Sequence, residues 1–183
     1  MKTEISPRQL VMLSIAVVGA LVFSNYEHLL PYRWQTYTAP DAKFSVRLPG
    51  KANVETKPVP GDDGKTTSLT LIGVEPTRDT AYTCSYFDSE SLGKKPPEQA
   101  LEASMAGSLT KIQGTVISLQ HITVQGYPGI DWHARARGNS LVDARMILVG
   151  NRLYMIMAVA RADGDREPKT VQRVFESFKV LKP

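Results

Sequence analysis

The side chains with the most chemical potential alternate along two neighbouring segments of the chain. Asp131, His133 and Arg135 are separated by apolar residues, and Asp143 and Arg145 follow in the next segment. Because side chains two residues apart on a strand share a face, antiparallel pairing of the segments brings all five together. An acid, an imidazole and guanidinium groups could bind an anion, or form a base oriented by a carboxylate. The sequence therefore predicts a candidate binding site on this face.

The same residues are also typical of a ladder of charges on a solvated end of a sheet. In that interpretation Arg135 and Asp143 form an ordinary surface ion pair, worth about 0–1 kcal/mol. No nucleophile beside an activating partner is evident, so the sequence favours the ladder and predicts no catalytic residue. Both interpretations remain open at this point.

No pattern for a metal or a cofactor is evident. The three histidines lie far apart, without ligand spacing on one element: His28, His121 and His133. Asp163–Glu167 is similar to the start of a calcium loop, but Pro168 occupies the sixth position and Val174 the twelfth. A loop that caps a helix explains these acids better. We expect no metal site and no cofactor.

The loop between the two charged segments sets their register. Residues that face each other across an antiparallel pair share a face, which requires an odd number of loop residues. Gly138–Ser140 supplies three, a common length for a bulged hairpin. The predicted register pairs Trp132 with Met146 and Arg135 with Asp143.

A further hairpin follows, and it predicts a sheet that is apolar on both faces. Gly150 and Asn151 suit a two-residue turn, which pairs Leu148 with Leu153 and Met146 with Met155. The reverse face is also too apolar to meet water, since it carries Ile147, Tyr154 and Ile156. Such a sheet needs cover on both sides.

Two predicted helices can supply that cover. Pro97 opens a helix that runs to about Thr110, and Pro168 opens a second, each with apolar residues at helical spacing. The predicted fold class is α+β, in which an antiparallel sheet meander is covered by helices on both faces as an α/β/α sandwich.

An uncharged apolar run near the start of the chain predicts where the protein works. Lys2 and Arg8 precede this run, so the positive-inside rule keeps residues 1–9 as a cytoplasmic stub. We predict a transmembrane anchor or signal segment over residues 10–26, a juxtamembrane linker over 27–36 and an exported domain over 37–183. The length favours an anchor, Leu10–Tyr26, although cleavage remains an alternative.

Several motifs together resemble the PsbP-like α/β/α sandwich superfamily, which includes many exported bacterial proteins. They are Phe-Ser-Val-x-Leu-Pro at Phe44–Pro49, a mid-chain helix, Arg152–Tyr154, and a closing segment at Phe175–Val180. The resemblance covers roughly Tyr37 to Leu181. It implies a non-enzymatic binding or assembly role, and it transfers no set of functional residues by position.

The expected function is therefore a membrane-tethered, extracytoplasmic binding or assembly module without catalytic activity. Its partner would be a protein of the cell envelope, bound with Asp131, His133, Arg135 and Arg145. Nucleic acid is not expected, because the net charge is only +4 and the basic residues are scattered. The alternative is a domain that binds a small ligand or performs hydrolysis with the His133 face. A nucleophilic side chain beside His133 would discriminate the two.

Overall fold

Ten strands and three helices form the part of the chain that the structure describes. The computed structural model describes residues 33–39, 43–60 and 66–181. The strands are β1 (Gln35–Thr38), β2 (Phe44–Leu48), β3 (Asn53–Pro60), β4 (Thr66–Val74), β5 (Thr80–Asp88), β6 (Thr115–Val124), β7 (Tyr127–Arg135), β8 (Leu141–Val149), β9 (Arg152–Ala160) and β10 (Lys179–Val180). The helices are α1 (Glu90–Gly93), α2 (Pro97–Ile112) and α3 (Pro168–Ser177).

Seven strands form the main sheet, in the order β3-β4-β5-β9-β8-β7-β6. Every neighbouring pair in this sheet is antiparallel. Strands β3 and β6 are therefore its two edges within the described residues. The long hairpins from β6 to β9 carry the charged residues singled out by the sequence.

One face of the main sheet packs against α2, and we call it the α2 face. Trp132, Met146 and Met155 from three strands are buried with Leu101 of the helix in one core. Pro97 suits the first turn of α2, because its fixed φ is helical and it lacks an N–H that the first turn would leave unpaired.

The opposite face is covered mainly by a second sheet. Strands β1, β2 and β10 form this three-stranded sheet, which buries Phe44, Val46 and Leu48 against the main sheet beside Val174 and Phe175 of α3. The predicted α/β/α sandwich with helices on both faces is therefore wrong. We call this side the small-sheet face.

The size of α3 explains this difference. The helix has ten residues and is about 15 Å long, whereas seven strands spread over about 29 Å. One short helix leaves apolar side chains such as Tyr154 and Ile156 uncovered. The alternating apolar residues of β2 complete their burial.

Of the two predicted hairpin registers, one is confirmed and the other is wrong. The turn at Gly150 and Asn151 is confirmed: it pairs Leu148 with Leu153, and Gly150 has the positive φ of 59° that such a turn requires. Between β7 and β8, however, Trp132 pairs with Ala144, not with Met146.

The connection between β7 and β8 causes that shift. It spans residues 136–140 and contains a 3₁₀ turn at Arg137–Asn139, with Gly138 and Asn139 at positive φ. Five residues in place of three move the register by two positions, so every side chain keeps its predicted face while its partner changes.

The predicted stub at 1–9, anchor or signal at 10–26 and most of the linker at 27–36 lie outside the described residues. Among the residues that the structure does describe, no helix is both long enough and apolar enough to cross a bilayer.

Candidate functional site

The five predicted site residues lie together on the small-sheet face, at the side where α3 packs. Asp131, His133 and Arg135 alternate along β7 with residues that are buried on the α2 face. In the observed register Asp131 is directly opposite Arg145, and His133 is directly opposite Asp143. The structure therefore places all five residues on one face, but it joins only four of them, in different pairs from those expected.

Asp131 and Arg145 form a two-pronged ion pair. Arg145 Nε donates to Asp131 Oδ1 at 2.8 Å and Nη2 donates to Oδ2 at 2.7 Å. The guanidinium also lies 5.2 Å from the centre of the Phe175 ring, and Nη1 donates to the Phe175 carbonyl at 3.3 Å. Such parallel, charge-assisted hydrogen bonds are strong and directional. Arg145 thus ties the main sheet to the last turn of α3.

His133, Asp143 and Arg166 form the second cluster. The side chain of Asp143 is only 4 % exposed, and its Oδ1 is hydrogen-bonded to Nδ1 of His133. Arg166, in the loop before α3, donates from Nε to Oδ2 at 2.8 Å and from Nη2 to Oδ1 at 2.7 Å. The hydrogen bond to Asp143 raises the pKa of Arg166, against a smaller lowering by burial. Both oxygens of the buried carboxylate are therefore occupied.

Sequence reasoning missed Arg166, because the loop around it was assigned only to capping the helix. One signal was present: Asp143 lies between Val142 and Ala144 in a strand whose neighbours are buried. A buried carboxylate requires a cation, and an imidazole alone is a weak one near neutral pH.

Arg135 takes no part in either cluster. Its Nη1 donates to Asn139 Oδ1 at 2.6 Å and lies 3.3 Å from Asp163 Oδ1. The predicted Arg135–Asp143 pair is wrong, because the register shift places Leu141 opposite Arg135. Its ion pair with Asp163 is an exposed one.

A serine lies next to His133 on the edge strand. Ser118 is directly opposite His133 in the β6–β7 ladder, immediately after a bulge between Val116 and Ser118. Ser118, His133 and Asp143 therefore form one row across three strands, the residue types of a catalytic triad. Within the described part of the chain, no hydrogen bond joins Ser118 to His133.

Neither metal nor thiol chemistry finds support elsewhere in the described residues. No group of three or more His, Cys, Asp or Glu side chains there could hold a metal ion. Cys84 is a buried free thiol of β5, and burial raises its pKa well above the usual range. A neutral, enclosed thiol is a poor nucleophile.

The most unusual surface of the described structure is the edge strand β6. Its sequence, TVISLQHITV, contains no Lys, Arg, Asp, Glu or Pro, and most of its side chains are exposed. Three of the four large hydrophobic side chains that are exposed in the described residues lie on it: Val116, Ile117 and Leu119. The opposite edge, β3, carries a Glu55–Lys57 ion pair and Pro58.

Natural sheets protect their edges with charge and proline, because unpaired backbone groups there attract other strands. Strand β3 has such protection and β6 lacks it. Sequence reasoning could identify β6 as an uncharged strand. It could not identify the strand as an edge, since that depends on the order of strands in the sheet.

Comparison with known proteins supports the fold. No protein-family model and no curated protein sequence matches the chain. Among solved structures, the solution structure of cyanobacterial PsbP (CyanoP) from Synechocystis sp. PCC 6803 is similar, with a TM-score of 0.55 and 12% identity over 87% of this chain and 98% of that one. The crystal structure of PA94 from Pseudomonas aeruginosa, a protein of unknown function described as a putative regulator, is also similar. Its TM-score is 0.50 and its sequence identity is 9%, over 82% of this chain and 98% of that one.

Identities this low show a shared fold and nothing about activity. The sequence resemblance to PsbP-like proteins is thus supported at the level of the fold, across most of the chain. The described part of the chain has a PsbP-like fold.

Proposed function

We propose that this protein is a binding or assembly module without catalytic activity, which works outside the cytoplasm while tethered by Leu10–Tyr26. Its contact surface is the edge of β6, to which a protein partner adds an extended strand. The observation that carries this proposal is the exposure of an uncharged, proline-free edge of ten residues.

Strand addition uses the physical chemistry that β6 offers. Hydrogen bonds between main chains supply affinity, and side chains on the two faces supply selectivity. Burying one large apolar side chain fully contributes about 1.5–3 kcal/mol. About half of that gain remains available at Val116, Ile117 and Leu119, because they are 42 %, 58 % and 40 % exposed.

The charged residues support a non-catalytic role. Asp131 and Asp143 each accept two hydrogen bonds from an arginine, so their charges are compensated within the protein. Arg145 contacts Phe175 of α3, and Arg166 belongs to the loop before that helix. We therefore assign these pairs to holding α3 against the main sheet, with the exposed rim of His133 and Arg135 left as a secondary contact for a partner.

Site-specific photo-crosslinking in native membranes tests the proposal. The photoreactive residue p-benzoylphenylalanine replaces Ile117 in the full-length chain, and the same substitution at Val54, 49 % exposed on the other edge, is the matched control. We expect a discrete protein adduct from position 117 and none from position 54. Equal adducts from both positions, or none from position 117, would contradict the proposal.

The second candidate function is hydrolysis, and the row of Ser118, His133 and Asp143 is the observation that favours it. Asp143 binds Nδ1 of His133, which directs Nε2 to act as the base. The ring is 40 % exposed, so a substrate could reach it. Two observations count against hydrolysis. Among the described residues Ser118 has no hydrogen bond to His133, and Arg166 neutralises the charge of Asp143.

A fluorophosphonate probe, which labels activated serine hydroxyls, separates the two candidates. Labelling of the purified full-length protein that disappears in both Ser118→Ala and His133→Gln would support hydrolysis. The binding module predicts that the folded protein takes up no label at Ser118.

A further inference from the structure

We infer that the strand received by β6 is β6 of a second copy of this chain, so that two main sheets join into one antiparallel sheet across a two-fold axis. This inference rests on the proposed function, because it names the partner of the same edge. An antiparallel pair of identical strands is an isologous contact, in which each copy presents the same surface to the other.

The composition of β6 suits pairing with itself. Between Thr115 and Val124 the strand carries no Lys, Arg, Asp or Glu, so no register places like fixed charges opposite each other. The same operation on β3 would meet Pro58, which has no N–H to donate to a partner strand. Self-pairing is therefore open at one edge of the main sheet and obstructed at the other.

The bulge confines the regular pairing to residues 118–124. Strands pair without interruption only beyond the irregularity between Val116 and Ser118. Side chains directly opposite each other share a face, so the axis must pass through a residue of this segment, and not between two residues. The axis that pairs all seven residues passes through His121.

This register gives complementary contacts on each face. On the α2 face Leu119 would lie opposite Thr123 of the second copy, and on the small-sheet face Gln120 would lie opposite Ile122. His121 would lie opposite its own copy. Its Nε2 is 3.3 Å from Glu102 Oε1 of α2 in the same chain, and that carboxylate offsets any charge on the ring.

Disulfide scanning of the full-length protein in native membranes tests the register. Single cysteines replace Leu119, Gln120 or His121 in turn, and Val54→Cys on the other edge is the matched control. The native Cys84 is buried and unreactive, so it can stay in place. We expect disulfide-linked dimers to be most abundant for His121→Cys and to be absent for Val54→Cys.

A charge placed on the edge supplies an independent measurement. Leu119→Lys replaces an apolar contact with an ammonium group that pairing would have to strip of water, and we expect sedimentation of the detergent-solubilised protein to show loss of the dimer. Val54→Lys, with a similar exposure on β3, should leave the dimer unchanged. Thermal unfolding of both variants shows whether each is folded.

The outcomes separate this inference from the proposed function. Folded β6 variants that give no more disulfide dimer than Val54→Cys overturn the inference. If the crosslinker at Ile117 then captures a different protein, the proposed function stands with another partner. If position 117 captures nothing, both fail.

Discussion

Asp143 and Arg166 lie 23 residues apart in the chain and meet through two hydrogen bonds of 2.7 and 2.8 Å. The carboxylate is buried on β8, an interior strand of the main sheet, and the guanidinium belongs to the loop that leads into α3. A charge buried in this way requires its partner. The pair therefore links the placement of α3 to the sheet face on which the candidate site lies.

Removing Arg166 should destabilise the protein by about 2 kcal/mol. Breaking a fully buried pair costs about 3–5 kcal/mol, but the Arg166 side chain is 33% exposed and water can partly replace it. Urea unfolding of Arg166→Ala, followed by tryptophan fluorescence, measures the change. Arg161→Ala is the control, because its pair with Asp79 is exposed and 3.5 Å long. Equal losses in the two variants would show that burial of Asp143 is unimportant.

The Asp131–Arg145 pair should show a coupling energy of about 1–2 kcal/mol in a double-mutant cycle. Both side chains are about four-fifths buried, and the two hydrogen bonds fix their geometry. Arg145→Lys should recover little of the loss, since an ammonium cannot form the paired contact. The exposed Glu90–Lys94 pair, with 3.7 Å between its charged atoms, is expected to give a coupling near zero in the same measurement.

Phe44→Ala should cost about 3–5 kcal/mol in the free energy of unfolding. The ring of Phe44 is fully buried between the two sheets. Its centre lies 5.4, 5.5 and 5.7 Å from the ring centres of Tyr86, Tyr154 and Phe178. Phe44→Leu keeps most of the volume and should cost less than half as much. Chemical unfolding of the two variants makes the comparison. A similar small loss for both would mean that the small sheet contributes little to stability.

The faces of the strands could be predicted from the sequence, because alternation is a local property. Asp131, His133 and Trp132 lie on the predicted faces. The register between β7 and β8 shifts by two residues, an even number, so each side chain stays on its predicted face. The shift itself depends on where the strands end and on positive φ at Gly138 and Asn139. Neither feature is evident from alternation alone.

The layers and the second half of the charged cluster depend on contacts between distant segments. Strand β10 returns to pair Lys179 with Ser45 and Val180 with Phe44, which completes the small sheet. No local sequence pattern predicts this pairing. Arg166 reaches Asp143 for the same reason. The candidate site was thus predictable as a set of residues on one face, whereas its pairs and the exposed edge of β6 required the three-dimensional arrangement.

The stability of the protein should fall above about pH 8.5, the usual pKa of a thiol, because of Cys84. Burial raises the pKa of Cys84 in the folded state, so the folded chain keeps a proton that the unfolded chain releases. The contribution is fully present below the unfolded pKa and is lost as the pH rises, by up to about 1.4 kcal/mol per pH unit. Between about pH 8 and about pH 10 the wild type should therefore lose roughly 2 kcal/mol more than Cys84→Ala in urea unfolding. The two proteins differ only at residue 84, so parallel pH profiles would show that this thiol gains access to water in the folded state.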